Sequence, residues 1–219
     1  MYLVHQIRTS WGNKNVAHGC FLDISAAFDK VWHRGLLAKV EQIGVSDNFL
    51  SLFRSYLSDR KQCTVIDGVK SNFLEIKAGV PQGSRLGPLL FIIYINDIIT
   101  GLECEMLIFA DDCSLLASGE DPTETVEKLN RDLARISSWA KIWKVTFNAG
   151  KSKDIIFTNK LLNNSPPLLF NDRVIDRVNI HRHLGVFMVS SGALHYTSRE
   201  KLNKELGCEI FHTRIKENA

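Results

Sequence analysis

The stretch Phe109-Ala110-Asp111-Asp112 decides the architecture of this chain. It lies between two short apolar runs, which predicts a hairpin of two strands with paired aspartates at its tip. A third aspartate, Asp23, follows the apolar run 20–22 far upstream. Three carboxylates at strand ends could hold two divalent cations, because Mg²⁺ prefers hard oxygen ligands. Adjacent aspartates also occur in hairpin turns that bind nothing, so spacing alone leaves both interpretations open.

The composition is that of one soluble globular domain in an intracellular protein. The 219 residues are 45% hydrophobic and 23% charged, and that length suffices for a sizeable core. The net charge of +3 is compatible with nucleic acid as a partner without indicating it. Five cysteines without CxxC spacing favour reduced, buried thiols. No signal-peptide pattern is present, and the longest apolar run, 89–95, is far shorter than a membrane span.

Hydrophobic periodicity and turn residues predict a mixture of helices and strands. Asp67-Gly68 is typical of a tight hairpin, and Asp121-Pro122 is typical of a helix start, with Asp121 as N-cap. Helices are expected at 3–12, 36–43, 49–57, 87–99 and 122–143, and strands at 20–24, 63–66, 69–76, 105–110, 113–117, 145–148 and 153–158. A loop is expected at 163–167, and periodicity is lost after 188. Because strands and helices do not alternate strictly, the pattern indicates an α+β domain.

Five segments in order resemble the motifs of reverse transcriptases from non-LTR retrotransposons of the LINE type. The similar segments are 21–33 (FLDISAAFDKVWH), 79–91 (GVPQGSRLGPLLF), 109–112 (FADD), 139–152, which ends FNAGKS, and 183–186 (HLGV). The last is similar to the family's primer grip, with His183 where tyrosine is usual. The resemblance covers roughly residues 1–188. It implies a palm-type antiparallel sheet backed by helices.

The resemblance assigns roles to individual residues. Asp23, Asp111 and Asp112 would be the catalytic triad and would bind two Mg²⁺ ions, or Mn²⁺ instead. Asp23 and Asp111 are expected to bridge the ions, with Asp112 as an outer or alternate ligand. Phe28 would exclude a ribose 2′-hydroxyl, and the less favoured alternative is an ordinary core aromatic. Gln82 and Gly83 would touch the template and the incoming base.

Two basic residues are candidates with open alternatives. Lys151 would donate a proton to pyrophosphate or orient the triphosphate, and Arg85 would contact a phosphate. Both could also be solvated side chains without a ligand. The histidines show no zinc spacing, and His181 and His183 fit a strand pattern better than a ligand pair.

The implied activity is RNA-directed DNA synthesis on an RNA template, with a DNA primer and deoxynucleoside triphosphates as substrates and no membrane or inferable protein partner. Only 22 residues precede Asp23, too few for the family's fingers, and 189–219 does not resemble its thumb. We therefore expect a palm domain at 1–188, with truncated fingers, and a divergent tail at 189–219. The alternatives are a catalytically silent fragment that binds nucleic acid weakly or not at all and, less favoured, a group II intron maturase or another palm polymerase.

Overall fold

The computed structural model describes residues 2–158 and 165–190, which form five α-helices and thirteen strands. The helices are α1 (Tyr2–Gly12), α2 (His33–Gln42), α3 (Asp47–Leu57), α4 (Leu86–Ile95) and α5 (Pro122–Trp143), and a 3₁₀ turn (Asn96–Ile99) follows α4. The strands are β1 (Val16–Asp23), β2 (Lys61–Gln62), β3 (Val65–Ile66), β4 (Val69–Lys70), β5 (Leu74–Glu75), β6 (Glu105–Phe109), β7 (Asp112–Gly119), β8 (Lys153–Phe157), β9 (Leu169–Phe170), β10 (Arg173–Val174), β11 (Asp176–Arg177), β12 (Ile180–His183) and β13 (Val186–Val189). The predicted α+β class is confirmed.

The central sheet has the strand order β11-β8-β1-β7-β6. Strand β1 pairs antiparallel with both β7 and β8, β6 pairs antiparallel with β7, and β11 pairs parallel with β8. Because β1 is central, each of its residues from Val16 to Leu22 is buried and only Asp23 is partly exposed. A strand that is buried on both faces has a nearly continuous run of apolar residues, and the run 20–22 is the part of β1 that shows this pattern in the sequence.

Two apolar layers cover the two faces of the sheet. On one face, Cys20, Leu22 and Leu115 belong to the main core with the apolar stripe of α5 and with α4. On the other face, Phe21 and Phe157 pack with α1 and with Met188 of β13. Side chains alternate between faces along a strand, so Asp23 shares the face of Phe21 and lies opposite the layer that contains α5.

Helix α5 begins and is oriented as its sequence predicts. The carboxylate of Asp121 accepts a hydrogen bond from the Glu124 amide at 2.9 Å, and the Glu124 carboxylate accepts one from the Glu120 amide at 2.9 Å. These two bonds satisfy amides at the helix start that have no partner inside the helix. The predicted apolar stripe is buried at Val126, Leu129, Leu133, Ile136 and Ala140.

A buried lysine joins α2 to the end of α4. Lys39 donates to the Tyr94 carbonyl and to the Asp97 carboxylate, each at 2.5 Å. Its ammonium lies 3.7 Å from the ring centroid of Trp143, and Trp139 donates to Asp97 at 3.0 Å. Burial lowers the pKa of Lys39 from its ordinary value, and the interaction with Asp97 opposes that shift.

A second buried polar cluster ties the sheet to the segment after residue 164. His18 contacts both Asp154 and Thr125, and all three side chains are inaccessible to solvent. Asp154 also accepts a hydrogen bond from Arg177 at 2.8 Å, and Arg177 donates to the carbonyls of Ser165 and Pro166 at 3.0 and 2.7 Å. Each charge in the cluster has a partner, as burial requires.

Several predicted boundaries need correction. The strand predicted at 145–148 is wrong: within it only Phe147 forms an isolated bridge, to Ile24. The helix predicted at 87–99 begins at Leu86 and becomes a 3₁₀ turn after Ile95. The hairpin around Asp67-Gly68 is confirmed, with two-residue strands and positive φ angles of 49° and 82° in its turn.

The remaining expectations are confirmed in part or lie outside the described residues. Cys20, Cys104 and Cys113 are free and buried, and Cys63 is free and half-buried. Within 2–158 and 165–190, no helix is long and apolar enough to cross a membrane. Cys208, the start of the loop predicted at 163–167 and nearly all of the predicted tail lie outside the described residues.

Candidate active site

Asp23 and Asp112 lie directly opposite each other in the central sheet. Asp23 is the last residue of β1, Asp112 is the first of β7, and the antiparallel register pairs the two Cα positions. Directly opposed residues project to the same face of a sheet, with Cβ atoms about 4.5–5.5 Å apart. The register therefore brings together two carboxylates that are 89 positions apart in sequence.

The backbone hydrogen bonds show that this is the closer of the two antiparallel pair types. The Asp23 carbonyl accepts from the Asn148 amide at 2.8 Å, and the Asp23 amide donates to the Ser152 hydroxyl at 3.3 Å. Both polar groups of Asp23 thus point towards the loop before β8 and away from β7. In such a non-hydrogen-bonded pair the Cα atoms are about 4.5 Å apart, so the opposed side chains approach closely.

Asp111 occupies the turn between β6 and β7. Phe109 pairs with Asp112, which leaves the two-residue loop Ala110-Asp111. Ala110 has a φ of 54°, a left-handed conformation that is unfavourable for a residue with a Cβ atom. Phe109 is 66% exposed at this tip. The hairpin thus presents an aromatic ring and two carboxylates at one end of the sheet.

Both facing aspartates line a cavity of about 80 Å³, together with a basic residue that the sequence predicts to be catalytic. Its lining includes Asp23, Asp112 and Lys151, with Lys151 contributed by the loop before β8. The Lys151 side chain is exposed and forms no hydrogen bond or ion pair with the described part of the chain. The structure therefore brings together three of the predicted catalytic residues, whereas Asp111 does not line this cavity.

The other wall of the cavity is a pair of histidines on β12. The rings of His181 and His183 lie 4.8 and 4.9 Å from the ring of Phe21, centroid to centroid. Burial lowers the pKa of both histidines, and the charge of Asp112 acts in the opposite direction. Both imidazoles are therefore predominantly neutral at pH 7, because the ordinary pKa is already 6.5. The predicted strand placement of the pair is confirmed.

The start of the second motif lines a separate groove of about 530 Å³, which includes Gln82, Asp29 and Arg60. The Gln82 amide nitrogen donates to the Asp29 carboxylate at 2.8 Å. Arg60 donates to the Gly79 carbonyl at 3.3 Å. This groove does not include Asp23, so the structure places Gln82 beside the first motif but not in the carboxylate cavity.

Phe28 and Arg85 line neither of these two cavities. The Phe28 ring is half-buried and packs against Phe91, with ring centroids 4.8 Å apart. Arg85 precedes α4 and is exposed, and its side chain has no hydrogen-bond or ion-pair partner among the described residues. Gly83 is also exposed, with a φ of 80° that suits glycine. Their roles stay predictions.

The facing carboxylates fit a hard divalent cation by their chemistry. Asp23 and Asp112 form no ion pair or side-chain hydrogen bond with the described residues, and two close like charges are unfavourable without a cation. Mg²⁺ retains several waters, so one or two protein carboxylates suffice to hold it. Over 2–158 and 165–190, however, no group of three histidine, cysteine or acidic residues is arranged as a metal site. The three-aspartate metal set therefore stays a prediction.

The fold and the motif positions define a polymerase palm, and comparison with protein families gives the same class. The reverse transcriptase (RNA-dependent DNA polymerase) family model matches residues 2–189. The chain belongs to this family.

Several relatives of this chain are polymerases from mobile elements. The chain is 38% identical over 183 residues to the RNA-directed DNA polymerase from mobile element jockey of Drosophila funebris, covering 80% of this chain and 20% of that protein. It is 32% identical over 191 residues to the probable RNA-directed DNA polymerase from transposon X-element of Drosophila melanogaster, covering 85% and 21%. The predicted likeness to non-LTR retrotransposon reverse transcriptases is confirmed. The chain spans about a fifth of the length of these relatives.

Solved structures support the fold alone. The chain superposes on apo telomerase from Candida tropicalis, truncated from the C-terminal domain, with a TM-score of 0.58 and 15% identity, over 86% of this chain and 38% of that one. Telomerase from Candida albicans, in complex with a fragment of telomeric RNA, matches with a TM-score of 0.52 and 14% identity, over 93% and 36%. The palm-type sheet backed by helices is thus confirmed.

At or beside the two cavities, the structure places three residues that the sequence does not predict as site residues. No sequence pattern marks Arg60, because an arginine beside a short hairpin is common on protein surfaces. His181 joins the cavity only because β12 folds against Phe21. Ser152 follows Lys151 in the fourth motif, and its buried hydroxyl beside Asp23 could have been suspected from the turn pattern of Asn148 and Gly150.

Proposed function

We propose that this chain is the palm of an RNA-directed DNA polymerase that adds deoxynucleotides to a primer 3′-hydroxyl and releases pyrophosphate. The observation that supports this most directly is the register that pairs Asp23 with Asp112 in a chain of the reverse transcriptase family. By its chemistry, nucleotidyl transfer needs charge neutralisation and in-line positioning more than it needs a protein nucleophile. Opposed carboxylates at a sheet end meet the first need.

The proposed metal ligands are Asp23, Asp112 and Asp111. When bound, two divalent cations would lower the pKa of the 3′-hydroxyl and neutralise the charge that develops on the triphosphate. Asp23 and Asp112 would hold the cations from opposite strands. Asp111 is assigned to the set because it lies on the two-residue turn, directly before Asp112.

Lys151 is the proposed charge partner of the pyrophosphate. Its exposed side chain lines the carboxylate cavity, and its ammonium can donate a hydrogen bond or a proton to a phosphate oxygen. No side chain is required as a general base, because a cation can acidify the hydroxyl.

The proposed substrate-binding residues lie outside the carboxylate cavity, and Gln82 lines the separate groove. Gln82 would present its amide oxygen and its second N–H to the template or the incoming base, since one N–H already donates to Asp29. The ring of Phe28, supported by Phe91, would stand against the sugar and favour deoxynucleotides. An RNA template, a DNA primer and deoxynucleoside triphosphates are the proposed partners, and the name of the jockey relative supports them.

Primer extension tests the proposal. The purified chain is incubated with a poly-adenylate template, an oligo-thymidylate primer, thymidine triphosphate and Mg²⁺, beside Asp23→Ala and Asp111→Ala. Asp47→Ala is the matched control, because Asp47 is exposed in the first turn of α3. We expect extension by the wild type and the control and a loss of at least about 100-fold in both site variants. No extension by a folded wild type would indicate a silent palm and refute the activity of this chain.

A further inference from the structure

The loop 148–152 binds both main-chain polar groups of Asp23. The Asn148 amide donates to the Asp23 carbonyl at 2.8 Å, and the Asp23 amide donates to the Ser152 hydroxyl at 3.3 Å. Asp23 ends β1, and β7 leaves these two groups unpaired, as the pair type described above requires. The loop therefore holds the end of the strand from which the Asp23 carboxylate projects.

The same loop is closed by its own hydrogen bonds. The Ser152 hydroxyl donates to the Asn148 carbonyl at 2.9 Å, and the Asn148 side-chain oxygen accepts from the amides of Gly150 and Lys151 at 3.1 and 3.3 Å. An asparagine that bonds amides two and three residues on fixes a tight turn. The backbone of Lys151 is thus set relative to the backbone of Asp23.

Burial makes the serine bond hard to replace. Ser152 has no solvent-accessible surface. Its hydroxyl acts as donor to Asn148 and as acceptor for Asp23 at once, which a hydroxyl can do and an aliphatic side chain cannot. Removing it leaves the Asp23 amide without its partner in an interior position.

We infer that Asn148 and Ser152 are positioning residues that set the distance between the Lys151 ammonium and the Asp23 carboxylate. The inference rests on the proposed function. Lys151 and Asp23 line one cavity with Asp112. The loop bonds connect their backbones directly, between the pairing of β1 with β8 and the bridge from Ile24 to Phe147. A shift of about 1 Å in a reacting group costs about 100-fold in rate, so the loop geometry should govern turnover.

The test uses Ser152→Ala and Asn148→Ala, with Asn148→Asp as the conservative variant that keeps an acceptor for the amides of Gly150 and Lys151. Ser114→Ala is the matched control, because Ser114 is also buried in the sheet and its hydroxyl has no hydrogen-bond partner among the described residues. Steady-state primer extension gives kcat and KM for thymidine triphosphate, at a temperature where every variant is folded. We expect kcat to fall about 10- to 100-fold in both alanine variants, with KM nearly unchanged and Asn148→Asp close to wild type.

A double-mutant cycle separates positioning from simple destabilisation. When Lys151 is already alanine, Ser152→Ala should lower kcat by a smaller factor than it does in the wild-type chain. The reason is that one of the two groups that Ser152 aligns, the Lys151 ammonium, is then absent. Multiplicative losses, or an equal loss in Ser114→Ala, would overturn the inference. Amide hydrogen exchange gives a readout that does not depend on activity: the Asp23 amide should exchange faster in Ser152→Ala than in wild type, and unchanged exchange contradicts the hydrogen bond.

The outcomes distinguish the two proposals. An inactive but folded wild type refutes the proposed function, and the exchange rate of the Asp23 amide then decides whether the loop holds the strand end. An active wild type with an unaffected Ser152→Ala refutes the positioning role and leaves the proposed function standing.

Discussion

Replacing Asp132 with alanine should destabilise the fold by disconnecting α5 from the start of the β6–β7 hairpin. Asp132 projects from α5 and its side chain is inaccessible to solvent. Its carboxylate accepts from the Glu103 amide at 2.9 Å and from the Cys104 amide at 2.6 Å, immediately before β6. It also pairs with Arg135 at 2.7 Å. The alanine variant loses all three interactions and leaves two amides without an acceptor.

The expected loss is about 3–5 kcal/mol. A hydrogen bond to a charged group contributes about 1.5–3 kcal/mol, and breaking a buried ion pair from one side costs about 3–5 kcal/mol. The total loss of stability stays near about 3–5 kcal/mol, as for a broken buried ion pair, because Arg135 keeps Glu103 as a partner at 2.9 Å. For a domain of this size each kcal/mol lowers Tm by about 2–4 °C, so we expect a fall of about 6–20 °C.

The effect should become smaller in acid. Burial raises the pKa of Asp132, but the hydrogen bonds from Cys104, Glu103 and Arg135 together outweigh burial, so the pKa lies below its ordinary value of 3.8. A carboxylate with a lowered pKa stabilises the fold fully above its ordinary pKa and stops doing so as pH falls through the lowered value. The difference between wild type and variant should therefore be constant near neutral pH and shrink below pH 3.8.

Urea denaturation followed by circular dichroism measures this difference. Asp176→Ala is the control, because the Asp176 carboxylate is 65% exposed in its ion pair with Lys153 and should contribute less than about 1 kcal/mol. A loss below about 1 kcal/mol in Asp132→Ala, or a loss that does not shrink in acid, would refute the reasoning.

Two further predictions concern stability. Gly79→Ala should cost at least about 2 kcal/mol, because Gly79 has a φ of 89° and an added Cβ would lie 2.7 Å from the Asp29 carbonyl oxygen. Gly101→Ala, at a φ of 77° with open space around the Cβ, should cost about 1 kcal/mol, and equal losses in chemical denaturation would contradict the steric argument. Lys39→Met should remove a pH dependence: burial lowers the pKa of Lys39, so the unfolded chain binds more protons between the lowered value and 10.5, and the stability of wild type relative to the variant should rise with pH in that window. Denaturation curves of both proteins across that window measure this difference in the free energy of unfolding. A difference that stays constant or falls with pH would contradict the lowered pKa of Lys39.

Local features of the chain were largely predictable. The N-cap at Asp121, the hairpin at Asp67-Gly68 and the apolar stripe of α5 each depend on residues a few positions apart, so neighbouring sequence suffices to specify them. The five motifs in order were enough to predict the family, and the irregular succession of strands and helices indicated the α+β class. The strand predicted at 145–148 failed because a strand exists only with a paired neighbour, and only Phe147 has one.

The candidate site was predicted as a set of residues but not as an arrangement. The sequence by itself determined which side chains could bind a cation or a phosphate: Asp23, Asp111, Asp112 and Lys151. Only the tertiary structure decided that Asp23 opposes Asp112, that loop 148–152 holds Asp23, and that β12 brings His181 into the cavity. Strand pairing across about 90 residues depends on the whole sheet and its two apolar layers, and a side-chain period of two specifies a face without specifying a partner.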